Sequence, residues 1–260
     1  MKTTNSFAWS WVGTENPPNT TSKRDKNMTY VLSDIHGNIV RFESIMSQIN
    51  LQPEDTLYIL GDVIDRYPDG IKILRRVMKM PNVKMLLGNH EYMMMCAIGH
   101  CRDAAEEKAN ANEYAKQLWY RNGGSVTHKY LKHLRKDVRA EVFAYIRQLP
   151  LNLDIEVNGT KYKLVHGSPV ENYMSSYHYS SYYNTLAEFA VWERWNETMP
   201  VPAGFVMIFG HTPTCHFQSV TPWSIWGTEE AIGIDCGCAY PDGRLACLRL
   251  DDMTVFYSEE

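Results

Sequence analysis

The chain has 260 residues, 44% hydrophobic and 22% charged, with a formal net charge of −4. That length buries one substantial core without demanding a split into two domains, and the composition is that of an ordinary globular enzyme. A negative balance excludes the broad positive field that nucleic acid or an anionic membrane would need, and no apolar run approaches the ~20 residues of a membrane-spanning helix.

Residues 1–27 are polar, carry Pro17-Pro18 and show no helical or alternating period, so a flexible leader is expected there. Phe7, Trp9, Trp11 and Val12 form only a short apolar patch after a single Lys2, with no small-residue cleavage site, which argues against a secretory signal. Met28 is read as the start of a single folded unit over residues 28–260. Tyr30 to Ser33 then predicts a strand running into Asp34-Ile35-His36-Gly37. Ile39, Phe42, Ile45, Met46 and Ile49 recur at helical spacing, and Leu57 to Leu60 predicts a second strand, running into Gly61-Asp62 with Asp65-Arg66 close behind. Ile71, Ile73, Leu74, Val77 and Met78 mark another helix, closed by Pro81, before Val83 to Leu87 runs into Gly88-Asn89-His90-Glu91. Strand and helix alternate, which predicts parallel pairing with right-handed crossovers. In such sheets functional groups gather beyond the carboxyl ends of the strands, where all three motifs lie.

Met93, Met94 and Met95 read as core filler at the start of a helix. From Asp103 to Gln148 the chain is charged and helix-friendly, interrupted by Asn122-Gly123-Gly124. Tyr130, Leu134, Val138, Val142 and Ile146 recur at four-residue steps and predict one buried face, while His128 and His133 read as structural or exposed. After Pro150, Leu153 to Val157 and Lys161 to Val165 flank Asn158-Gly159, a strong hairpin signal. The second of these strands ends in His166-Gly167, and Val206 to Phe209 ends in Gly210-His211. Tyr173 to Tyr183 is rich in tyrosine and serves either as a lid or substrate wall or as a packing surface. Ala231 to Asp235, Leu245 to Leu250 and Thr254 to Tyr257 read as antiparallel strands closing a second sheet, with Asp242-Gly243 turning between two of them. Cys96, Cys101, Cys215, Cys236, Cys238 and Cys247 contain no Cys-x-x-Cys pair and read as mostly buried thiols of a reducing, cytoplasmic compartment.

One strand ending in Gly and Asp is weak evidence, as often a polar turn as not. Three such ends in order, each with metal-ligating side chains, followed by two His-Gly or Gly-His ends, are hard to explain by packing alone. From Met28 to the C-terminus the chain resembles the calcineurin-like metallophosphoesterases, in their phosphoprotein phosphatase branch. Trp119-x-x-Asn122-Gly123-Gly124 is similar to an element of bacterial and phage-type members, in which this region forms a helical cap beside the site. The resemblance implies an α/β four-layer sandwich, two mixed β-sheets flanked by helices, with a cap inserted at approximately residues 96–149.

It further implies two divalent metal ions, with Asp34 and His36 on the first, Asn89, His166 and His211 on the second, and Asp62 bridging them. Mixed oxygen and imidazole donors favour manganese, iron or zinc over magnesium or calcium, with manganese placed first. A hydroxide held between two cations is a strong nucleophile near neutral pH and would attack phosphorus in line, without a phosphoenzyme. By the same resemblance Arg66 and Arg194 clamp phosphate oxygens, and His90, oriented by Asp65, protonates the leaving oxygen. The expected activity is that of a serine/threonine or dual-specificity protein phosphatase, the alternative a symmetrical bis(5′-nucleosyl)-tetraphosphatase, and the third reading a metal-binding scaffold without catalysis. Expected partners are accordingly a phosphorylated protein or peptide or a nucleoside polyphosphate, with no nucleic acid or membrane, for a monomer or weak oligomer.

Overall fold

The computed structural model describes residues 27–99, 113–175 and 183–259. Strand β1 (Thr29–Leu32), helix α1 (Ile39–Ile49), strand β2 (Thr56–Ile59), helix α2 (Gly70–Val77) and strand β3 (Val83–Met85) follow in order. The three strands pair in parallel, β1 with β2 and β2 with β3, as the alternation predicts. Helix α1 starts where the Asn38 side chain accepts from the backbone N–H of Arg41 at 3.1 Å, the usual way a helix start satisfies a free donor. Its predicted stripe, Phe42, Ile45, Met46 and Ile49, is buried. Helix α3 (Asn89–Ala97) carries Met93, Met94 and Met95 into the core, as expected of filler residues.

Helices α4 (Glu113–Arg121), α5 (Ser125–His133) and α6 (Lys136–Arg147) come next. The predicted continuous face from Tyr130 to Ile146 does not exist as one stripe. Leu134 and Arg135 are extended, at φ/ψ of −77°/145° and −58°/148°, and break the run in two. The physical reason lies in the spacing, since a four-residue step overshoots one helical turn by about 40°, so four steps drift about 160° around a straight helix. The break resets the phase, and Leu131, Val142 and Ile146 all reach the core.

The hairpin forms as predicted between β4 (Asn152–Val157) and β5 (Thr160–Val165), with Asn158 and Gly159 at φ 51° and 82°, the left-handed pair that a tight two-residue turn requires. After α7 (Val170–Ser175) and α8 (Leu186–Trp192), strand β6 (Val206–Phe209) pairs in parallel with β5. Strands β7 (Trp226–Gly227) and β8 (Ala231–Gly233) complete that sheet, in the order β4-β5-β6-β8-β7. The last two strands, β9 (Ala246–Arg249) and β10 (Thr254–Tyr257), depart from expectation. They are antiparallel, but they join the first sheet, in the order β10-β9-β1-β2-β3. The turn at Asp242-Gly243 therefore carries the chain from one sheet to the other. Strand propensity is silent on which sheet edge a strand will find; here the N-terminal sheet offers β1 as an unpaired edge.

Alternation along the strands builds the layers. Tyr30 and Leu32 face a helical layer formed by α1, α2 and α3. Val31, Tyr58 and Leu248 point the other way and meet Tyr162, Leu164, Ile208 and Ile232 of the second sheet. On the far side of that sheet Val165, Met207, Phe209 and Ala231 are covered by Trp195 and Met199. Two mixed five-stranded sheets flanked by helices thus form the sandwich expected for the family.

Cys236, Cys238 and Cys247 are buried free thiols and Cys215 is a half-buried one, whereas Cys96 is disulfide-bonded and so departs from the expected pattern of buried thiols. The expected leader, apart from its last residue, lies outside the described residues, as do Cys101 and most of the loop from Tyr173 to Tyr183. No helix among the described residues is long and apolar enough to cross a membrane.

Candidate metal centre

Five parallel strand ends converge. β1 delivers Asp34 and His36, β2 delivers Asp62, Asp65 and Arg66, and β3 runs into α3 with Asn89 and His90; β5 and β6 of the other sheet deliver His166 and His211. The backbone there is strained. Among the described residues nine non-glycine positions have positive φ, and six of them are Asp34, His36, Asp62, Asp65, Arg66 and His211. Each such residue costs on the order of 1–3 kcal/mol and persists only where its surroundings over-determine it. Here they do: the N–H of His36 donates to Asp62 O at 2.9 Å, that of Arg66 to Gly123 O at 3.2 Å, and that of Tyr67 to His36 O at 3.0 Å.

Asp62 lies at the centre and is buried. Its Oδ1 is 3.5 Å from His166 Nε2, and its Oδ2 is 3.9 Å from Nε2 of both His36 and His90. Donor atoms of His36, Asp62 and His90 lie within 4.8 Å of one another, and so do those of Asp62, His166 and His211. Asp34 Oδ1 is 3.8 Å from His36 Nε2, and Asn89 Oδ1 is 3.0 Å from His166 Nε2. The predicted ligands therefore lie together: His36, His166 and His211 stand in two donor groups that share Asp62, with Asp34 and Asn89 beside them. His90, predicted to stand beside the metals, is close enough to be counted among the donors of the first group.

Each imidazole has one nitrogen committed to an acceptor. His166 Nδ1 lies 2.8 Å from Leu60 O, His211 Nε2 lies 3.1 Å from Trp192 O, and His36 Nδ1 lies 3.4 Å from Ile64 O. His90 Nδ1 lies 2.8 Å from Asp65 Oδ2. A carbonyl or carboxylate oxygen only accepts, so these contacts place a proton on that nitrogen and turn the opposite one toward the cluster, where His166 Nε2 also meets Asn89 Oδ1. Burial holds the imidazoles of His36 and His211 well below their usual range, and that of His166 below it. Burial raises the Asp62 carboxyl, and the nearby Asp34 charge raises it further. Neutral imidazoles beside crowded buried carboxylates are a donor set that divalent cations would satisfy and neutralise.

Arg66 and Arg194 are both exposed beside the cluster. Arg194 Nη1 donates to His211 O at 3.0 Å, and the Arg66 guanidinium lies 5.9 Å over the Tyr240 ring. Their charges reach the site, since Arg66 lowers His36 and Arg194 lowers His166 and His211.

Four residues at the site had no role assigned from the sequence. Glu91 is wholly buried, and its carboxylate accepts from the N–H groups of Asp62, Val63, Ile64 and Gly88. Asp235 is buried, its Oδ1 accepts from Gly237 N at 3.0 Å, and burial followed by the Asp34 charge raises its carboxyl. Trp119 and Thr127 contact Asp65 from α4 and α5. Glu91 and Asp235 carried a signal: one stands three residues after Gly88 at a helix start, and the other ends an apolar run as Asp34 and Asp62 do. Trp119 opens the Trp119-x-x-Asn122-Gly123-Gly124 element already singled out in the sequence, though without a role, and Thr127 carried no signal.

A two-sheet sandwich with such a cluster at its strand ends defines a metallophosphoesterase architecture. The family model described as calcineurin-like phosphoesterase matches residues 29–233, and the chain belongs to that family. A symmetrical bis(5′-nucleosyl)-tetraphosphatase of Pectobacterium atrosepticum is 34% identical over 85 residues, 32% of this chain and 30% of that protein. The protein of the same name from Pectobacterium carotovorum is 38% identical over 69 residues, 26% of this chain and 25% of its own length. The chain thus matches less than a third of the length of these curated relatives. Among solved structures, a metallophosphoesterase from Sphaerobacter thermophilus superimposes with a TM-score of 0.51 at 18% identity, over 89% of this chain and 88% of its own. A cold-active protein-tyrosine phosphatase from a Shewanella species does so with a TM-score of 0.54 at 14% identity, over 90% and 80%.

Proposed function

We propose that this chain hydrolyses phosphoesters with two divalent cations, manganese before iron or zinc. Asp34 and His36 would hold one, Asn89, His166 and His211 the other, and Asp62 both. The observation that carries this reading is the pair of donor groups that have Asp62 in common. When bound, such cations make water a nucleophile near neutral pH and draw charge from the phosphoryl oxygens.

The chain's own residues would do the rest. Arg66 and Arg194 hold the non-bridging oxygens with their forked N–H groups, Arg194 being anchored by the His211 carbonyl. As the new bond from water oxygen to phosphorus forms, with the water's proton lost to solvent, and the bond to the leaving oxygen breaks, that oxygen takes the Nε2 proton of a doubly protonated His90 ring. Asp65 keeps the Nδ1–H of His90 turned toward itself, so that Nε2 faces the departing group.

The substrate we propose is a phosphorylated serine, threonine or tyrosine side chain. Support comes from the Trp119 to Gly124 element, which reaches Asp65 and Arg66 as the resemblance to bacterial and phage-type members leads one to expect, and from the exposure of Arg66, Tyr67 and Tyr240. A second reading, a symmetrical dinucleoside tetraphosphate, is supported by the names of the sequence relatives. Turnover of p-nitrophenyl phosphate and a phosphopeptide, set against diadenosine tetraphosphate with Mn²⁺ supplied, separates the two. Efficient cleavage of the dinucleotide alone would put the tetraphosphate first.

A further inference from the structure

Trp119 is completely buried, and a buried indole N–H must find an acceptor. It finds Asp65 Oδ2 at 2.8 Å. The same oxygen receives the Nδ1 side of His90, also at 2.8 Å, while Asp65 Oδ1 is buried and has no hydrogen-bond partner. All the side-chain anchoring of this carboxylate thus falls on one oxygen, from two directions. The terminal torsion of an aspartate is soft, so a carboxylate held by the imidazole alone could swing with it.

The indole is itself held. A Cβ on Gly124 would strike its Nε1, Cδ1 and Cε2 atoms, so only glycine lets the start of α5 pass over the ring. His128 stacks against it at 5.5 Å between centroids and 30° between planes, and is in turn bonded to the Tyr120 hydroxyl. Thr127 Oγ1 accepts the backbone N–H of Asp65 at 3.1 Å, from the same helical pair. Backbone and side chain of Asp65, a residue at φ 73°, are therefore both set by α4 and α5.

We infer that Trp119 is a positioning residue: its indole N–H pins the Asp65 carboxylate, which holds the Nδ1–H of His90, so that Nε2, once it also carries a proton, is aimed at the leaving group. The inference rests on the proposed role of His90 as proton donor. A tryptophan that only filled the core would affect stability, and would affect all substrates alike.

Two replacements separate these roles: Trp119→Phe, and incorporation of benzothienylalanine at 119, which keeps the ring outline but has sulfur in place of the N–H. In the metal-free protein, ¹⁵N spectra of the histidine rings should show His90 as a single Nδ1–H tautomer in the parent and as a mixture in both variants. With Mn²⁺ present, kcat/KM for phenyl phosphate should fall roughly 10–100-fold in both variants, the scale of impaired acid catalysis, while that for p-nitrophenyl phosphate, whose leaving group needs no proton, stays within about threefold. An unchanged His90 tautomer in the benzothienylalanine protein overturns the inference, as do equal losses on the two esters. If Trp119→Phe does not fold, the benzothienylalanine protein decides alone. A parent inert on every phosphoester would instead remove the functional reading, and the spectra would still test the positioning.

Discussion

The backbone N–H of Asp62 donates at 2.9 Å to the carboxylate of Glu91, 29 residues further along the chain. Glu91 also accepts from Gly88 N at 3.2 Å, Val63 N at 2.9 Å and Ile64 N at 3.3 Å. One buried side chain thus ties the loop after β2 to the loop after β3, and sets Asp62 against the helix that carries Asn89 and His90. Glu91→Gln would turn an NH₂ toward a nest of N–H donors. A buried donor left unsatisfied costs about 1–3 kcal/mol, so the metal-free variant should melt several degrees lower and bind Mn²⁺ more weakly. Melting and metal titration matching the parent would show the loops to be held by other contacts.

Asp62→Asn keeps the size of the side chain and removes its charge. Both donor groups include Asp62, so occupancy of both should fall together, to well under two equivalents in elemental analysis of the loaded protein. Two full equivalents in the variant would argue that each cation has its own carboxylate.

His90 stands close enough to the first donor group to be a ligand, yet its Nδ1 is committed to Asp65. If it serves as proton donor, His90→Asn should retain metal and lose ~10²–10⁴ in rate on esters with poor leaving groups. Loss of one metal equivalent in that variant would make His90 a ligand instead.

The His128 imidazole is held below its ordinary value, first by burial and then by the charges of Lys132 and Lys116. The folded state therefore prefers the neutral ring, and as pH falls the unfolded chain takes up the proton first. The contribution is present above the unfolded value of about 6.5 and is lost as pH falls through the folded one. The parent should lose more thermal stability between pH 8 and pH 5 than His128→Gln does, and the ring should titrate below pH 6.5 by NMR. A midpoint at or above that value would count against the burial seen beside Trp119.

Where the structure departs from the sequence reading, the cause is a choice between partners distant in the chain. Residues 246–249 and 254–257 are strands on any reading of their side chains. Their place in the first sheet is set by the register of Val31 opposite Leu248, more than two hundred residues away. The face read over Tyr130 to Ile146 was a true apolar signal with a false assumption of one straight helix.

Local chemistry decided the rest. An apolar run of four to five residues that stops at Gly, Asp or His can be recognised one segment at a time, because strand propensity and the left-handed turn that follows are properties of neighbouring residues. Five such ends carried the resemblance from which the six expected ligands, Arg66 and the pair His90 and Asp65 were read, while Arg194 came from the resemblance without a strand end to mark it. Tertiary structure alone revealed that Trp119 grips Asp65, that Glu91 gathers four backbone donors and that Asp235 stands near Asp34. Those contacts join segments whose spacing follows no repeat, and each exists only because burial forces a polar group to find whatever partner the fold brings near.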